Sequence, residues 1–144
     1  MKTKRQQEII HALGHPNVQS SHPTTLMITK DRHLTETGDC IIAVSADKAL
    51  SDLHQEFKET LSKPNANLTI IIEAGGVKEE IHASGSPKLC MCHATDTVIR
   101  KSNYVCTRTL AISADKASLD LSSALIEKLK DPTQKVTITL IIDG

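Results

Sequence analysis

The pentapeptide SADKA stands at Ser45–Ala49 and occurs a second time at Ser113–Ala117, 68 positions later. The match is wider than these five residues, because 13 of the 32 residues from 41 to 72 are identical at this offset. Upstream the offset becomes 71, and positions 8 to 30 give 10 identities in 23. We therefore interpret the chain as two copies of one unit.

The repeats run from 8 to 76 and from 79 to 144, and each is close to the lower size limit for an independent core. The whole chain has 144 residues, which suits one compact domain. We therefore expect a single domain over 1–144, in which the two repeats share one core and are related by a pseudo-two-fold axis.

The unit reads as strand, strand, hairpin, strand, helix and strand. Residues 17–30 are rich in Thr, Ser, Val and Ile without a helical period and predict an extended strand. The glycine-containing segment 30–39 suits a hairpin, and the apolar run 40–44 predicts a short buried strand. The expected fold class is α+β and dominated by β-structure, with about eight mostly antiparallel strands in a sandwich or barrel and two helices.

The predicted helix of the first repeat starts at the pentapeptide. Ser45 can cap the first turn with its hydroxyl, and Asp47 would lie where the helix dipole favours a carboxylate. Pro64 would end the helix. Apolar residues at spacings of three and four form one stripe, which predicts the buried face: Leu50, Leu53, Phe57 and Leu61.

Composition excludes several classes of function. The 17 basic and 17 acidic residues balance, which disfavours broad electrostatic binding to nucleic acid or to an anionic membrane. Phe57 and Tyr104 are the only aromatic residues, too few for a surface that stacks bases.

The expected compartment is the cytoplasm. No apolar segment follows the basic start as in a signal peptide, and no apolar run reaches the length of about 18 residues that a membrane span needs. In that compartment the four cysteines would be reduced thiols or metal ligands rather than structural disulfides: Cys40, Cys90, Cys92 and Cys106.

Several stretches together resemble an archaeal family known as domain of unknown function 371. They are Gly14–Val18, His22-x-x-Thr25, Leu34-Thr35-x-x-Gly38-Asp39-Cys40-Ile41, Val98–Ser102 and Arg108–Leu110. The resemblance covers nearly the whole chain and implies a small β-rich archaeal domain without an assigned activity. The chain departs from the family pattern at Met27, where an acidic residue is expected, and at the unusual Cys90-Met91-Cys92.

Polar residues that both copies share are expected to serve the common fold. Asp47 and its counterpart Asp115 are explained as first-turn helix residues. The pair His22 and His93 leaves two alternatives, which are a hydrogen-bonded structural histidine in each copy or two imidazoles that meet at the pseudo-axis.

Polar residues present in one copy are the better functional candidates. The first copy alone offers His15, Asp39 and Cys40, whereas the second alone offers Arg100 and Arg108. If the loops of both halves converge, they form an anion pocket with an acid–base group beside it. The alternative is that the arginines pair with surface carboxylates and that Asp39 belongs to an ordinary turn.

The predicted site therefore has two groups of residues. The catalytic candidates are His15, His22 and Asp39. The candidates for binding the ligand are Thr25, Arg100, Lys101, Ser102 and Arg108.

A metal site has an incomplete signature. Cys90 and Cys92 would share one face of a strand while His93 points away, and structural zinc sites normally use two ligand pairs. Cys40 could be a nucleophile only with a histidine beside it.

Three hypotheses follow. The first is a domain that binds a small phosphate- or carboxylate-bearing ligand between the repeats, with acid–base chemistry as an extension. The second is a non-catalytic interaction or structural module, and the third is a metal-dependent hydrolase-like site built from His and Cys. The sequence identifies no cofactor, reaction or oligomeric state.

Overall fold

The computed structural model describes residues 5–35, 37–64 and 66–143. Positions 1–4, 36, 65 and 144, which fall within the predicted domain, lie outside the described residues. The strands are β1 (Arg5–Leu13), β2 (Thr25–Thr29), β3 (Ile41–Ala43), β4 (Asn67–Ala74), β5 (Val77–Ser84), β6 (Asp96–Arg100), β7 (Thr109–Ala111) and β8 (Lys135–Asp143). The helices are α1 (Gln55–Leu61) and α2 (Ser123–Leu129), each preceded by a 3₁₀ turn, Leu50–Asp52 and Ser118–Asp120.

The strands form two open four-stranded sheets rather than a closed barrel. One sheet has the order β1-β8-β4-β5 and is antiparallel throughout. The other has the order β3-β2-β6-β7, with β2 and β6 antiparallel at its centre. The β-dominated α+β prediction of about eight mostly antiparallel strands and two helices is therefore confirmed.

One hydrophobic cluster contains residues of both sheets and both helices. Ile70 of β4, Ile28 of β2, Phe57 of α1 and Leu125 of α2 are all buried within it. Full burial of such a side chain stabilises the fold by about 1.5–3 kcal/mol. None of the helices within the described ranges is long and apolar enough to cross a membrane.

The two halves repeat the same order of elements, from β1 to β4 and from β5 to β8. They are also interlocked, because the loop after β1 lies against the end of α2, where His15 N donates to Leu129 O at 2.8 Å. The loop after β5 lies against the end of α1, where Ser86 N donates to Leu61 O at 3.2 Å. The common origin of the halves stays a prediction.

The predicted hairpin at 30–39 is wrong. Strand β3 lies parallel to β2, and β7 lies parallel to β6, so each connection returns the chain to the start of the preceding strand. The buried Leu34 anchors the first connection, and its carbonyl oxygen accepts from Asn17 Nδ2 at 2.7 Å. The predicted strand over 17–30 is reduced to Thr25–Thr29, because residues before it make turns, with Ser20 at a φ of 52°.

The predicted helix start at Ser45 is also wrong. Ser45 has a φ of 54°, which differs from the extended backbone typical of an N-cap residue, and Ser113 repeats this at 53°. Asp47 binds β1 instead, with its carboxylate accepting from His11 N at 2.9 Å and its own N–H donating to His11 O. The helix begins ten residues later, at Gln55, although the predicted apolar stripe is buried throughout: Leu50, Leu53, Phe57 and Leu61.

Candidate functional site

The two halves meet where β2 pairs with β6. Side chains alternate along a strand, and Leu26, Ile28 and Ile99 join the core from one face. The opposite face, which we call the seam face, carries the other side chains of the two strands: Thr25, Met27, Thr29, Asp96, Val98 and Arg100. It also carries polar residues that occur in only one of the two halves.

A chain of contacts crosses the seam face at one end. Asp96 accepts a hydrogen bond from Thr29 Oγ1 at 2.8 Å and pairs with Arg108 Nη1 at 3.4 Å. The same Nη1 lies 3.9 Å from the sulfur of Met27. Burial lowers the pKa of the Arg108 guanidinium, but hydrogen bonds to Asp96 and Cys106 and the charges of these two groups outweigh burial and raise it overall. The Arg108 side chain remains 44% exposed.

Arg100 and Cys106 form the other part of the cluster. Arg100 donates through Nε to Thr109 Oγ1 and through Nη2 to Cys106 Sγ, both at 3.2 Å. Its guanidinium also lies 5.0 Å from the centre of the Tyr104 ring, within range of a cation–π contact. These contacts fix the Arg100 fork beside the cysteine.

The Cys106 thiol is strongly acidic. Burial raises its pKa, but hydrogen bonds from Thr109, from the Arg108 backbone and from Arg100, together with the charge of Arg100, lower it to about 6. At neutral pH the group is therefore mainly a thiolate. Cys40 behaves in the opposite way, because burial and the nearby Asp39 raise its pKa despite the attraction of both arginines.

A family model described as a domain of unknown function (DUF371) matches residues 10–143. The chain belongs to the DUF371 family. An uncharacterised protein of the archaeon Methanocaldococcus jannaschii is 49% identical to it over 124 residues, which cover 85% of this chain and 90% of that protein. The resemblance inferred from the motifs is therefore confirmed.

In this DUF371 chain the other predicted ligand-binding residues occupy the edges of the cluster. Thr25 is the register partner of Arg100 on the seam face. Lys101 instead pairs with Asp120 at 2.7 Å, as Lys30 pairs with Asp52 at 2.9 Å in the first half. Both carboxylates also cap a 3₁₀ turn, which gives the shared lysines a structural role.

Ser102 is held by its own turn. Its hydroxyl accepts from Tyr104 N at 3.4 Å, and its carbonyl oxygen accepts from Ser113 N at 3.0 Å. These contacts leave Ser102 beside the Arg100 loop rather than on the seam face itself.

The predicted histidines use one ring nitrogen to build turns. His22 Nδ1 accepts from the N–H groups of Thr24 and Thr25, and His15 Nδ1 accepts from Asn17 N. The ring proton of each neutral imidazole therefore lies on Nε2, the tautomer that can donate. His22 N also donates to Asp39 O at 3.2 Å, which brings His22 to the edge of the seam face, whereas His15 lies at the end of α2.

His93 repeats the turn of His22, accepting from Asp96 N at 2.9 Å. The two histidines lie beyond opposite ends of the β2–β6 pairing, since β2 and β6 run antiparallel. The backbone therefore keeps the two imidazoles apart, and they do not meet at the pseudo-axis.

The cysteine pair Cys90 and Cys92 corrects two predictions. The residues lie on a loop rather than a strand, and they form a disulfide rather than reduced thiols. Met91 has a φ of 56°, and this turn brings the two Cα atoms to 5.3 Å, within the usual range for a disulfide. In the part of the chain that the structure describes, no three His, Cys, Asp or Glu side chains group closely enough to hold a metal ion.

Cys106 is the functional candidate that the sequence interpretation missed. Its signal was present, because Cys106 lies between Arg100 and Arg108 in the sequence and Gly38 occupies the equivalent position of Cys106 in the first half. The sequence did not reveal that both guanidiniums turn towards the thiol.

Proposed function

We propose that this DUF371 protein binds a small anion, bearing phosphate or carboxylate, on the seam face. The observation that supports this most directly is the Arg108 guanidinium, which lies 44% exposed at the junction of the halves and whose contact to Asp96 is long, at 3.4 Å. An arginine fork with free N–H groups matches two oxygens of a carboxylate or phosphate. Arg100 supplies the second cation.

Met27 favours an anion beside Arg108. It contacts Arg108 Nη1 through its thioether sulfur, which carries no charge. A carboxylate at that position would add a further negative charge beside the same Nη1 that contacts Asp96. The methionine therefore adds no negative charge beside Arg108, whose acidic neighbours are Asp96 and the Cys106 thiol.

In this proposal Asp96 competes with the bound anion for the Arg108 guanidinium. It accepts from Thr29 at 2.8 Å, so it is held in place, and its longer contact to Arg108 orients the guanidinium. A bound anion would add to or replace that longer contact. Removing the charge of Asp96 should therefore tighten anion binding.

Acid–base chemistry at this site is the finer part of the proposal. His22 would act through Nε2, because its Nδ1 is engaged by the backbone, and the Asp39 carboxylate would accept a proton or a hydrogen bond. His15 would take part only if a ligand extended towards the end of α2. The catalytic assignments of His15, His22 and Asp39 stay predictions.

The test is titration of the isotopically labelled protein with sulfate, phosphate and malonate, followed by amide chemical shifts. We expect saturable shifts centred on β2, β6 and the 102–108 loop. Arg108→Ala should weaken binding by about ten-fold or more, as expected for a charge-assisted pair worth about 1.5–3 kcal/mol. Arg108→Lys should give an intermediate loss.

Lys63→Ala is the matched control. It removes the same charge from an exposed position after α1, so it should leave the affinity unchanged. Asp96→Asn keeps the shape and the Thr29 acceptor and should tighten binding. Equal affinity of Arg108→Ala and the unsubstituted chain would refute the proposal, and an absence of any saturable shift would favour the non-catalytic interaction module.

A further inference from the structure

We propose that the Cys90–Cys92 pair is a redox-active disulfide that exchanges with the thiols of a dithiol substrate in the cleft beside α1. This activity is independent of the anion site on the seam face. The first observation is exposure, because both cysteines are exposed while Met91 between them is 3% exposed and anchors the loop. Exposed disulfides are typically the labile ones.

The loop does not need the disulfide to adopt its shape. Positions 19–21 are the counterparts of 90–92, and Ser20 has a φ of 52° against 56° for Met91. The turn that follows is also the same, since His22 and His93 accept from the corresponding backbone N–H groups. The backbone therefore presents the two sulfurs in a ready position, and the bond can open without rebuilding the loop.

The disulfide also contributes little to the fold as a cross-link. It joins residues separated by two positions, so it closes a very short loop. The entropic gain of a disulfide grows with the length of the loop that it closes. Two cysteines at this spacing therefore suit exchange chemistry better than structural support.

A cleft of about 580 Å³ lies directly beside the sulfurs. Its wall on the other side is the polar face of α1 and the turn before it, with Ser51, Gln55, Lys58, Glu59 and Ser62. This volume is within the range of small-molecule sites. It fits a low-molecular-weight dithiol or a dithiol-bearing peptide segment.

Lys58 supplies a cation to this cleft. Its ammonium group donates to Ser51 O at 3.1 Å, which holds it along the wall. The counterpart of Lys58 in the second helix is Ile126, so this charge is specific to the helix that faces the cysteines. A nearby cation stabilises thiolates, both the attacking one and the one that leaves.

The exchange is balanced as follows. A substrate thiolate attacks one sulfur of the pair, a mixed disulfide forms, and the other cysteine leaves as a thiolate. The second substrate thiol, after losing its proton to solvent, attacks the substrate sulfur of the mixed disulfide and releases the first cysteine as a thiolate. The substrate is oxidised to its disulfide by two electrons, and Cys90 and Cys92 are reduced and take up protons according to pH.

The experiment uses the full chain and reduced dithiothreitol or dihydrolipoate as the probe. The protein, purified without reductant, is incubated with the probe, quenched with acid, alkylated and analysed by mass spectrometry. We expect alkylation of Cys90 and Cys92 to appear together with an equimolar amount of oxidised probe. The probe should reduce the Cys90–Cys92 disulfide about ten-fold faster, or more, than it reduces oxidised glutathione under the same conditions. The reason is that the cleft holds the probe beside the sulfurs.

Two sets of variants sharpen the test. Cys92→Ser should form a stable mixed disulfide between Cys90 and glutathione when oxidised glutathione is supplied, because this monothiol has no second thiol to displace Cys90. The double variant Cys90→Ser with Cys92→Ser should abolish the exchange. Lys58→Met should slow the exchange several-fold at neutral pH, and Lys63→Met serves as its charge-matched control. Thermal unfolding of the reduced chain should follow that of the oxidised chain closely, which separates exchange from loss of structure.

Three outcomes would overturn the proposal. The first is two alkylatable thiols at Cys90 and Cys92 in protein kept under air. The second is stoichiometric zinc bound by the pair. The third is a disulfide that reacts with the probe only after the chain has unfolded.

Discussion

The two halves build the same backbone and place different chemistry on it. At one end of the seam face the second half has Arg100, Cys106 and Thr109 in mutual contact. The equivalent positions of the first half carry Thr29, Gly38 and Ile41, which supply neither a guanidinium nor a thiol. The comparison teaches that the shared residues account for the scaffold, and that the activated thiol and the arginine fork belong to one half.

Residues shared by the halves have structural roles, which follow from their contacts. Asp47 and Asp115 bind the backbone of β1 and β5. Gly14 and Gly85 let each loop approach the end of the other half's helix. Five predictions test this division between scaffold and chemistry.

The largest effect is expected at Gly85. A Cβ at this position would overlap the carbonyl oxygen of Leu61, which is backbone and cannot move aside easily. We expect Gly85→Ala to destabilise the fold by about 3 kcal/mol or more, measured by urea unfolding. Gly14→Ala should behave similarly, because its Cβ would overlap the carbonyl oxygens of Leu129 and Asp131.

Gly76 provides the control for this prediction. It has a φ of 83° but nothing within 4 Å of an added Cβ, so Gly76→Ala costs backbone strain alone, about 1–2 kcal/mol. If Gly85→Ala were no more destabilising than Gly76→Ala, the close packing of each loop against the opposite helix would be wrong.

The second effect distinguishes two equivalent glutamates. Glu8 is 3% exposed and accepts from His54 and Lys48, whereas its counterpart Glu79 is less deeply buried and accepts from Lys116 and Ser122 N. Glu8→Gln should cost about 2–3 kcal/mol, because it leaves a lysine and a histidine contact without their anion. Glu79→Gln should cost about half of that, since solvent screens the pair.

These glutamates also predict a pH dependence of stability. Burial raises the pKa of each carboxyl, but the hydrogen bonds and the lysines lower it overall, below the ordinary 4.5. Their contribution is therefore complete above pH 4.5 and is lost as the pH falls through the lower pKa of the folded state. Urea unfolding between pH 3 and 6 should show this slope, and it should be shallower in Glu8→Gln; an unchanged slope would contradict the assignment.

Particular residues show which parts of the fold could be predicted from the sequence. The repeat predicted the number of strands and helices. The stripe from Leu50 to Leu61 predicted four buried residues, but only Phe57 and Leu61 lie on the helix. The start of the helix was misplaced at Ser45, since the Asp47 carboxylate was taken up by a strand 36 positions away. The parallel β2–β3 pairing was missed because a crossing loop and a hairpin have similar composition.

The candidate site was likewise predicted only in part from the sequence. Comparison of the halves selected Arg100 and Arg108, because residues that differ between copies stand out in the alignment. The structure places both beside Cys106, and their role in binding a ligand stays a prediction. The comparison overlooked Cys106, whose importance depends on two side chains turning towards it. The disulfide was missed because the turn at Met91, which a local sequence pattern does not reveal, brings two exposed cysteines together.

The third effect concerns the anion and Cys106. The pKa of Cys106 is lowered to about 6, so its thiolate offsets part of the positive charge of the arginines above that pH. Protonation below it removes the negative charge. Sulfate affinity should therefore rise by about five-fold between pH 7.5 and 5, the order of about 1 kcal/mol for a charge a few ångströms away.

Sulfate suits this measurement because its own charge does not change over the range. Cys106→Ser should bind sulfate at pH 7.5 as strongly as the unsubstituted chain does at pH 5, and its affinity should vary little with pH. The same pH dependence in Cys106→Ser and in the unsubstituted chain would exclude the thiolate as its cause.

The smallest effect tests whether Lys30 and Lys101 are equivalent. Their ion pairs to Asp52 and Asp120 have similar lengths and are each about one-third exposed, so each contributes about 0.5 kcal/mol. Lys30→Met and Lys101→Met should lower the free energy of unfolding equally and additively, because the pairs lie in different halves. The sequence predicted Lys101 as a ligand-binding residue, whereas its contacts match those of Lys30. Sulfate affinity decides between these roles. If both lysines serve only the scaffold, Lys30→Met and Lys101→Met should change the affinity equally little. A loss of affinity in Lys101→Met alone would assign Lys101 to the anion site.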